Sequence, residues 1–312
     1  MAVLVAVGRS LRQLARDASP AQRLAYAVGT VLIGFGFLHL LGYVVLGGPW
    51  VGPVAWRKPF AFGVSFGLTT VTLAWLSGYQ RLGRRLQWCL LAPLAAANSS
   101  EVAWVSVQRA RGVTSHFNFD TTFDTALFIA NGAAIAVTVA VILVLTIRSF
   151  KPIDGPAGMT VAMRAGLVCL VVAQIAGGLM IYQGINAAEA GAAQLTTWGG
   201  AGIMKVPHAV GMHSIQALPG LAWLLGFSTF GVARRRRTVL VASGGYAGLV
   251  AVSVIQTLAG LAPWDLTLIT GALLVVSLVG FGGAAVAAVA SLRGARPALT
   301  RRLRDLQRGA PR

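Results

Sequence analysis

The sequence predicts an all-α fold: a polytopic transmembrane helical bundle of eight spans with both termini cytoplasmic. Three observations predict it. Only 11% of residues are charged while 56% are hydrophobic, and mean hydropathy is +0.73; a soluble domain carries roughly 25% charged residues to dress its surface. Apolar runs long enough to cross a hydrocarbon core of about 30 Å recur along nearly the whole chain. The basic residues, finally, alternate between crowded and sparse connections.

The spans are expected at 23–46, 59–78, 86–108, 122–147, 162–184, 207–231, 238–260 and 266–292. With the N-terminus in the cytoplasm, twenty-one Lys and Arg fall on the inner side and five outside: Arg57, Lys58, Arg109, Arg111 and Lys205. The inner set includes Arg81, Arg84 and Arg85, then Arg148, Lys151 and Arg164, then Arg234 to Arg237. This is the asymmetry the positive-inside rule requires. The five outer acids, Glu101, Asp120, Asp124, Glu189 and Asp265, balance the outer cations, so the net +18 is carried entirely on the inner side. The basicity is then a topology signal and an attraction to an anionic inner leaflet. No nucleic-acid partner is needed to explain it.

Connections are short, so the chain divides into an amphipathic segment (1–20), one membrane domain (21–293) and a basic cytoplasmic tail (294–312). In the first segment Val3, Leu4, Val7, Leu11 and Leu14 share a helical face opposite Arg9, Arg12 and Arg16. That pattern suits a helix lying on the inner leaflet, and its order of apolar residues before arginines is not that of a signal peptide. Leu299, Leu303 and Leu306 suggest a weaker anchor in the tail. Cys89 and Cys169 both fall in the inner half of the membrane, where a structural disulfide is not expected. Neither belongs to a C-x-x-C-H pattern for covalent haem.

Small residues such as those of GFGGAAVAAVA (280–290) point to close helix packing, and Pro219 to a kink in the sixth span. Trp50, Trp56, Trp198 and Trp264 are read as an outer aromatic belt, with Trp88 at the inner boundary. Lys58-Pro59 opens span two and Lys205-Val-Pro207 opens span six, which hints at two parallel four-span halves.

The polar chemistry gathers on the outer side. RGVTSHFNFDTTFD (111–124) links spans three and four and holds Arg111, Ser115, His116, Asn118, Asp120 and Asp124. Upstream, Asn98, Glu101 and Gln108 form a polar stripe on one helical face. An ionisable group inside a span costs on the order of 3 kcal/mol or more unless paired or hydrated, which marks Glu101 as functional by default, with a structural partnership to an inward-reaching Lys58 or Arg111 as the alternative. Asp120 is expected to cap span four, leaving Asp124 harder to explain structurally. Lys58 and Lys205 sit at the positive ends of helix dipoles, where a carboxylate partner or an anionic ligand would offset them; interfacial snorkelling is the plainer alternative.

All four histidines, His39, His116, His208 and His213, fall on the outer side. His116, His208 and His213 with an acid would form a divalent-metal site, or histidines would ligate haem b; hydrogen-bonded structural histidines are the plain alternative. His208 and His213 lie about 140° apart around a helix, which works against a shared site.

Three elements, WRKPFAFGVS (56–65), QRARGVTSHFNFDTTFD (108–124) and KVPHAVGMHSIQALP (205–219), together resemble a family of multi-pass bacterial membrane proteins. That family's pattern is W-x-K-P, R-G-x-x-S-H-F-N with a following Asp, and H-x-x-x-x-H-x-x-Q-x-L-P. Matching positions are Trp56, Lys58, Pro59, Arg111, Gly112, Ser115, His116, Phe117, Asn118, Asp124, His208, His213 and Gln216. The resemblance implies a shared architecture and site in a bacterial inner membrane, not a particular reaction.

The expected site is therefore a pocket opening outward. Glu101, His116, Asp124, Lys58 and Arg111 are its catalytic candidates, and Ser115, Asn118, Lys205 and Gln216 its substrate-binding ones. Such a set favours an intramembrane enzyme acting on a lipid or other apolar small molecule. A proton-coupled transporter is the first alternative, and a non-catalytic sensor or assembly factor the second.

Overall fold

The structure, a computed structural model, describes residues 2–192 and 200–294. Trp198 and almost all of the expected basic tail, with its leucines, lie outside the described residues. Those residues fold into helices, in order α1 (Ala2–Asp17), α2 (Pro20–Leu46), α3 (Arg57–Ser77), α4 (Arg84–Ala110), α5 (Thr122–Ser149), α6 (Met159–Glu189), α7 (Lys205–Leu225), α8 (Val232–Leu258) and α9 (Leu268–Gly294). Six of them, α2, α3, α5, α6, α8 and α9, are long and apolar enough to cross a membrane, which marks an integral membrane protein. Helices α4 and α7 fall short because they carry the polar residues singled out above.

Local chemistry sets the helix ends. Ser19 and Gln22 form a capping box at the start of α2, with Pro20 at the first turn. Thr121, not Asp120, caps α5: its hydroxyl accepts from the Asp124 amide at 3.1 Å. Asp120 instead lies exposed one residue outside. The expected sixth span ran to 231, but α7 ends at Leu225 and α8 begins at Val232. Arg234 to Arg237 therefore continue α8 beyond its apolar stretch rather than forming a loop.

The packing order repeats. Helix α2 packs on α3 and α4, α3 on α4, and α4 on α5; in the second half α6 packs on α7 and α8, α7 on α8, and α8 on α9. One constant interval separates Arg57 from Lys205, Pro59 from Pro207, Gly63 from Gly211, Gly83 from Gly231 and Gln108 from Gln256. It also superimposes LAWL at 73–76 on LAWL at 221–224. Equivalent geometry accompanies the equivalent residues. A Cβ on Gly63 would lie 2.7 Å from Gly36 Cα on α2, and one on Gly211 2.8 Å from Ala173 Cβ on α6, so both helix pairs cross at small residues. Gly112 and Gly260 end α4 and α8 at φ +72° and +68°, and each preceding glutamine bonds to a carbonyl six residues on, Thr114 and Ala262. Trp75 and Trp223 meet edge to face at 6.5 Å between the halves.

The two ends of the bundle differ. Toward the basic end, where α3 passes to α4, the core holds Leu73, Leu76, Leu91, Leu94, Ile142 and Leu145, all fully buried. Toward the α4–α5 connection the interior turns polar. That polar end contains the site.

Candidate functional site

Helix α4 brings a polar stripe down its inner face, with Asn98, Glu101 and Gln108 all at most 2% exposed. Helix α5 answers with Asp124, Asn131 and Thr138, seven residues apart and hence on one face, all buried. At the deep end the Asn98 amide donates to Thr70 Oγ1 of α3 at 2.7 Å and accepts from Thr138 Oγ1 at 2.9 Å. Beyond this knot in the polar column the buried polar residues, among them Ser77, Gln80, Thr146 and Ser149, carry no charge, and the buried carboxylates among the described residues, Glu101 and Asp124, lie on the near side of it.

At the mouth, Asp124 is held by Arg111 at 2.5 Å, by the Gln108 amide at 2.8 Å and by the Thr121 hydroxyl at 2.7 Å. Arg111 also donates to Gln108 Oε1 and lies over the Phe123 ring. Asn118, buried, accepts from the Asp120 amide at 3.1 Å and reaches back to the Thr114 carbonyl. These bonds satisfy Asp124, Arg111 and Asn118 within the loop. Their evident work is to fix residues 111–121 over the end of the column.

What the loop positions is His116. Its Nε2 lies 3.2 Å from Glu101 Oε1, and its Nδ1 3.2 Å from the Ser115 hydroxyl. Phe62 of α3 stands edge-on to the imidazole at 5.5 Å. The next residue, Phe117, takes φ +55°, the one left-handed non-glycine among the described residues. Its ring fills space that Gly184 of α6 leaves open and stacks near Phe128 at 5.5 Å. Strain of this kind persists only where surroundings impose it, and here it turns His116 inward. Burial chiefly, and the nearby Lys58 charge, hold the His116 imidazole below the usual histidine range, against the opposing pull of Glu101.

Lys58, in the first turn of α3, lies within electrostatic reach of Glu101, Lys205 and Arg57. It lines a narrow cleft with Arg109 and Ser115, walled by Pro59, Val105 and Val113. Glu101 Oε2 is buried with no hydrogen-bond partner among the described residues. Lys58, Glu101, Ser115 and His116, called from sequence, are thus gathered in one place.

Other expected members are not. His208 Nδ1 lies 2.7 Å from the Ala173 carbonyl on α6, beside Gly177, while His213 is exposed. Gln216 contacts Thr72 of α3 at 3.3 Å, at the head of an apolar groove between α7 and α9. Among the described residues no three His, Cys, Asp or Glu side chains are placed to hold a metal ion. The expected His116, His208 and His213 triad is therefore not assembled. Its members are committed to a carboxylate, a carbonyl and the surface respectively. Cys89 and Cys169 are free thiols.

Arg109, and its stacking on the motif residue Trp56, escaped sequence reasoning. Arg109 lies 4.1 Å over the Trp56 ring, whose indole nitrogen donates to the Gly47 carbonyl at 2.9 Å. Trp56 looked like a belt residue and Arg109 like an interfacial charge. Only their stacking beside Lys58 shows otherwise.

The repeat supplies an internal control. The interval that pairs Gln108 with Gln256 pairs Lys58 with Val206, Glu101 with Leu249 and Arg109 with Thr257. Both glutamines bond their following loops, so their role is architectural. Lys58, Glu101 and Arg109, by contrast, are absent from an equivalent helical frame, which forms without them. Compared with protein families, with curated proteins and with solved structures, the chain finds no match.

Proposed function

We propose that the chain is an eight-span membrane enzyme of the bacterial inner membrane that transfers a group from a lipid or other apolar substrate, using a Ser115–His116–Glu101 relay that opens to the extracytoplasmic side. The eight-span reading rests on the repeat. Helix α3 is apolar enough to span and α7 is its equivalent; α8 is apolar enough and α4 is its equivalent. The excess of Lys and Arg at the opposite end supports both termini, and α1, lying on the cytoplasmic side.

The observation that carries the chemistry is the hydrogen-bonded chain from Ser115 through His116 to the buried Glu101. With Nε2–H donated to the Glu101 carboxylate, Nδ1 accepts the Ser115 proton. The Ser115 oxygen then attacks the electrophilic centre of the substrate, and the leaving group departs with the proton from His116, which leaves the transferred group on Ser115. An acceptor hydroxyl or water next gives its proton to His116, attacks that group and releases the Ser115 oxygen, which recovers the proton. Lys58 offsets the negative charge that develops. Ser115, expected from sequence as a binding residue, becomes the nucleophile in this reading. Glu101 orients and balances the imidazole.

A proton-coupled carrier needs a polar route to the far side. Beyond Asn98, Thr70 and Thr138 the buried polar residues among the described ones, Ser77, Gln80, Thr146 and Ser149, include no group that could relay a proton as a carboxylate or histidine does, which favours the enzyme. The test is turnover by purified protein in nanodiscs fed membrane lipid extracts, with products read by mass spectrometry. Ser115→Ala and Glu101→Gln should each lower the rate by about 10²–10⁴-fold. Full activity in Ser115→Ala, or no product from any lipid class, rejects the assignment. Proton-linked uptake into proteoliposomes would select the carrier instead.

A further inference from the structure

We infer that the cleft between α3, α4 and the 111–121 loop is an oxyanion site for a phosphate group, so that the substrate class of the proposed enzyme is a phosphate-bearing one; this rests on that reading of the site. The cleft is lined by two cations, Lys58 and Arg109, with the Ser115 hydroxyl, and no carboxylate is among its lining residues. Arg109 is held flat against Trp56 at 4.1 Å, yet its buried Nε has no hydrogen-bond partner among the described residues. A guanidinium fixed by stacking with its nitrogen donors unspent is prepared for an acceptor outside the protein. Of the buried acids, Asp124 is bound by Arg111, Gln108 and Thr121, and Glu101 faces His116 and lies within electrostatic reach of Lys58, so neither is bonded to Arg109.

The fold does not require these charges. At the equivalent positions the second half carries Val206 and Thr257 and builds the same helix ends. The donors come from three directions: α3, α4 and the loop. That arrangement suits the tetrahedral oxygens of phosphate better than the plane of a carboxylate. The cleft has room for about one water-sized group, so one phosphate oxygen enters and the rest of the molecule stays at the mouth. A phospholipid headgroup and free phosphate share this chemistry.

The experiment uses the full chain in a non-ionic maltoside micelle, with binding read by native mass spectrometry and thermal shift. Probes are phosphatidic acid, phosphate-free diacylglycerol and inorganic phosphate. Lys58→Val and Arg109→Thr are the variants, since the second half already tolerates both residues. Phosphatidic acid should bind and diacylglycerol should not, with affinity falling about tenfold in each variant; that result assigns a lipid source. Inorganic phosphate binding with the same sensitivity supports the site with a free-phosphate source. Equal binding of phosphatidic acid and diacylglycerol, or affinities unchanged in both variants, overturns it. Glu101→Gln separates the two proposals. Binding that persists there without turnover in the wild type retains the oxyanion site and rejects the enzyme, whereas turnover of a phosphate-free lipid does the reverse.

Discussion

In the proposed relay His116 is the base, and its surroundings make a statement about pH. Burial and the Lys58 charge favour the neutral imidazole, so its folded value lies below the ordinary one near 6.5. The sign follows directly: acidification protonates a free histidine first, and the folded protein resists until the pH falls further. Activity should hold as the pH drops through 6.5 and decline only below it. Replacing Lys58 with Val removes one cause of the depression, so the acid limb of kcat/KM should move upward in that variant. A limb at or above the ordinary histidine value in the wild type, or one unmoved by Lys58→Val, would remove His116 from the role of base. The same residue shows why part of the site was legible beforehand. Glu101 and Gln108 stand out because a polar side chain within an apolar helix needs a reason. Arg109 and Trp56 do not, because charges and indoles are ordinary at a membrane boundary, and the strain at Phe117 leaves no compositional trace.

At the scale of elements, the helices were legible because each needs a long apolar run, and each of the eight expected spans overlaps one helix. What was misjudged lies at polar ends. Arg234 to Arg237 continue α8 as helix since arginine is a good helix former, which moved one boundary by several residues. The expected histidine triad failed on helix geometry: a five-residue spacing turns His213 away from His208. Contact between helices is set by small residues at particular crossings, and this gives a prediction. Gly63→Leu would drive a Cβ to 2.7 Å from the α2 backbone at Gly36. It should cost about 1–3 kcal/mol or abolish folded yield, since backbone cannot move aside as a side chain can. Gly132→Ala meets nothing within 4 Å, and should be neutral or gain up to about 1 kcal/mol from helix propensity. Detergent melting curves decide between them. Equal melting of the two variants would mean that α2 and α3 do not cross as described.

At the scale of the whole molecule, the duplicated architecture constrains topology more tightly than hydropathy does. Pro59 and Pro207, LAWL and LAWL, and Gln108 and Gln256 occupy equivalent helices. On the proposed eight-span reading, four helices per half make the halves parallel and put equivalent loops on the same side of the membrane. Sequence reading caught only the Lys-Pro echo of this, because side chains freed from the fold's requirements have diverged while those at crossings and turns have not. The consequence can be measured in a background with Cys89 and Cys169 replaced by Ser. Single cysteines at Val113 and Leu261, just beyond the two αL glycines, should both react with a membrane-impermeant maleimide applied to intact cells. Cysteines at Gly83 and Gly231, exposed caps with ordinary φ of −65° and −66° and nothing near a built Cβ, should react only after permeabilisation. An inverted pair of halves, or a six-span chain in which α4 and α7 lie outside the membrane, would split at least one of these pairs between the two sides. The six-span result would leave His116 and Lys58 without a common aqueous face, and the relay without a route for its substrate; the inverted result would remove the shared frame on which the eight-span reading rests.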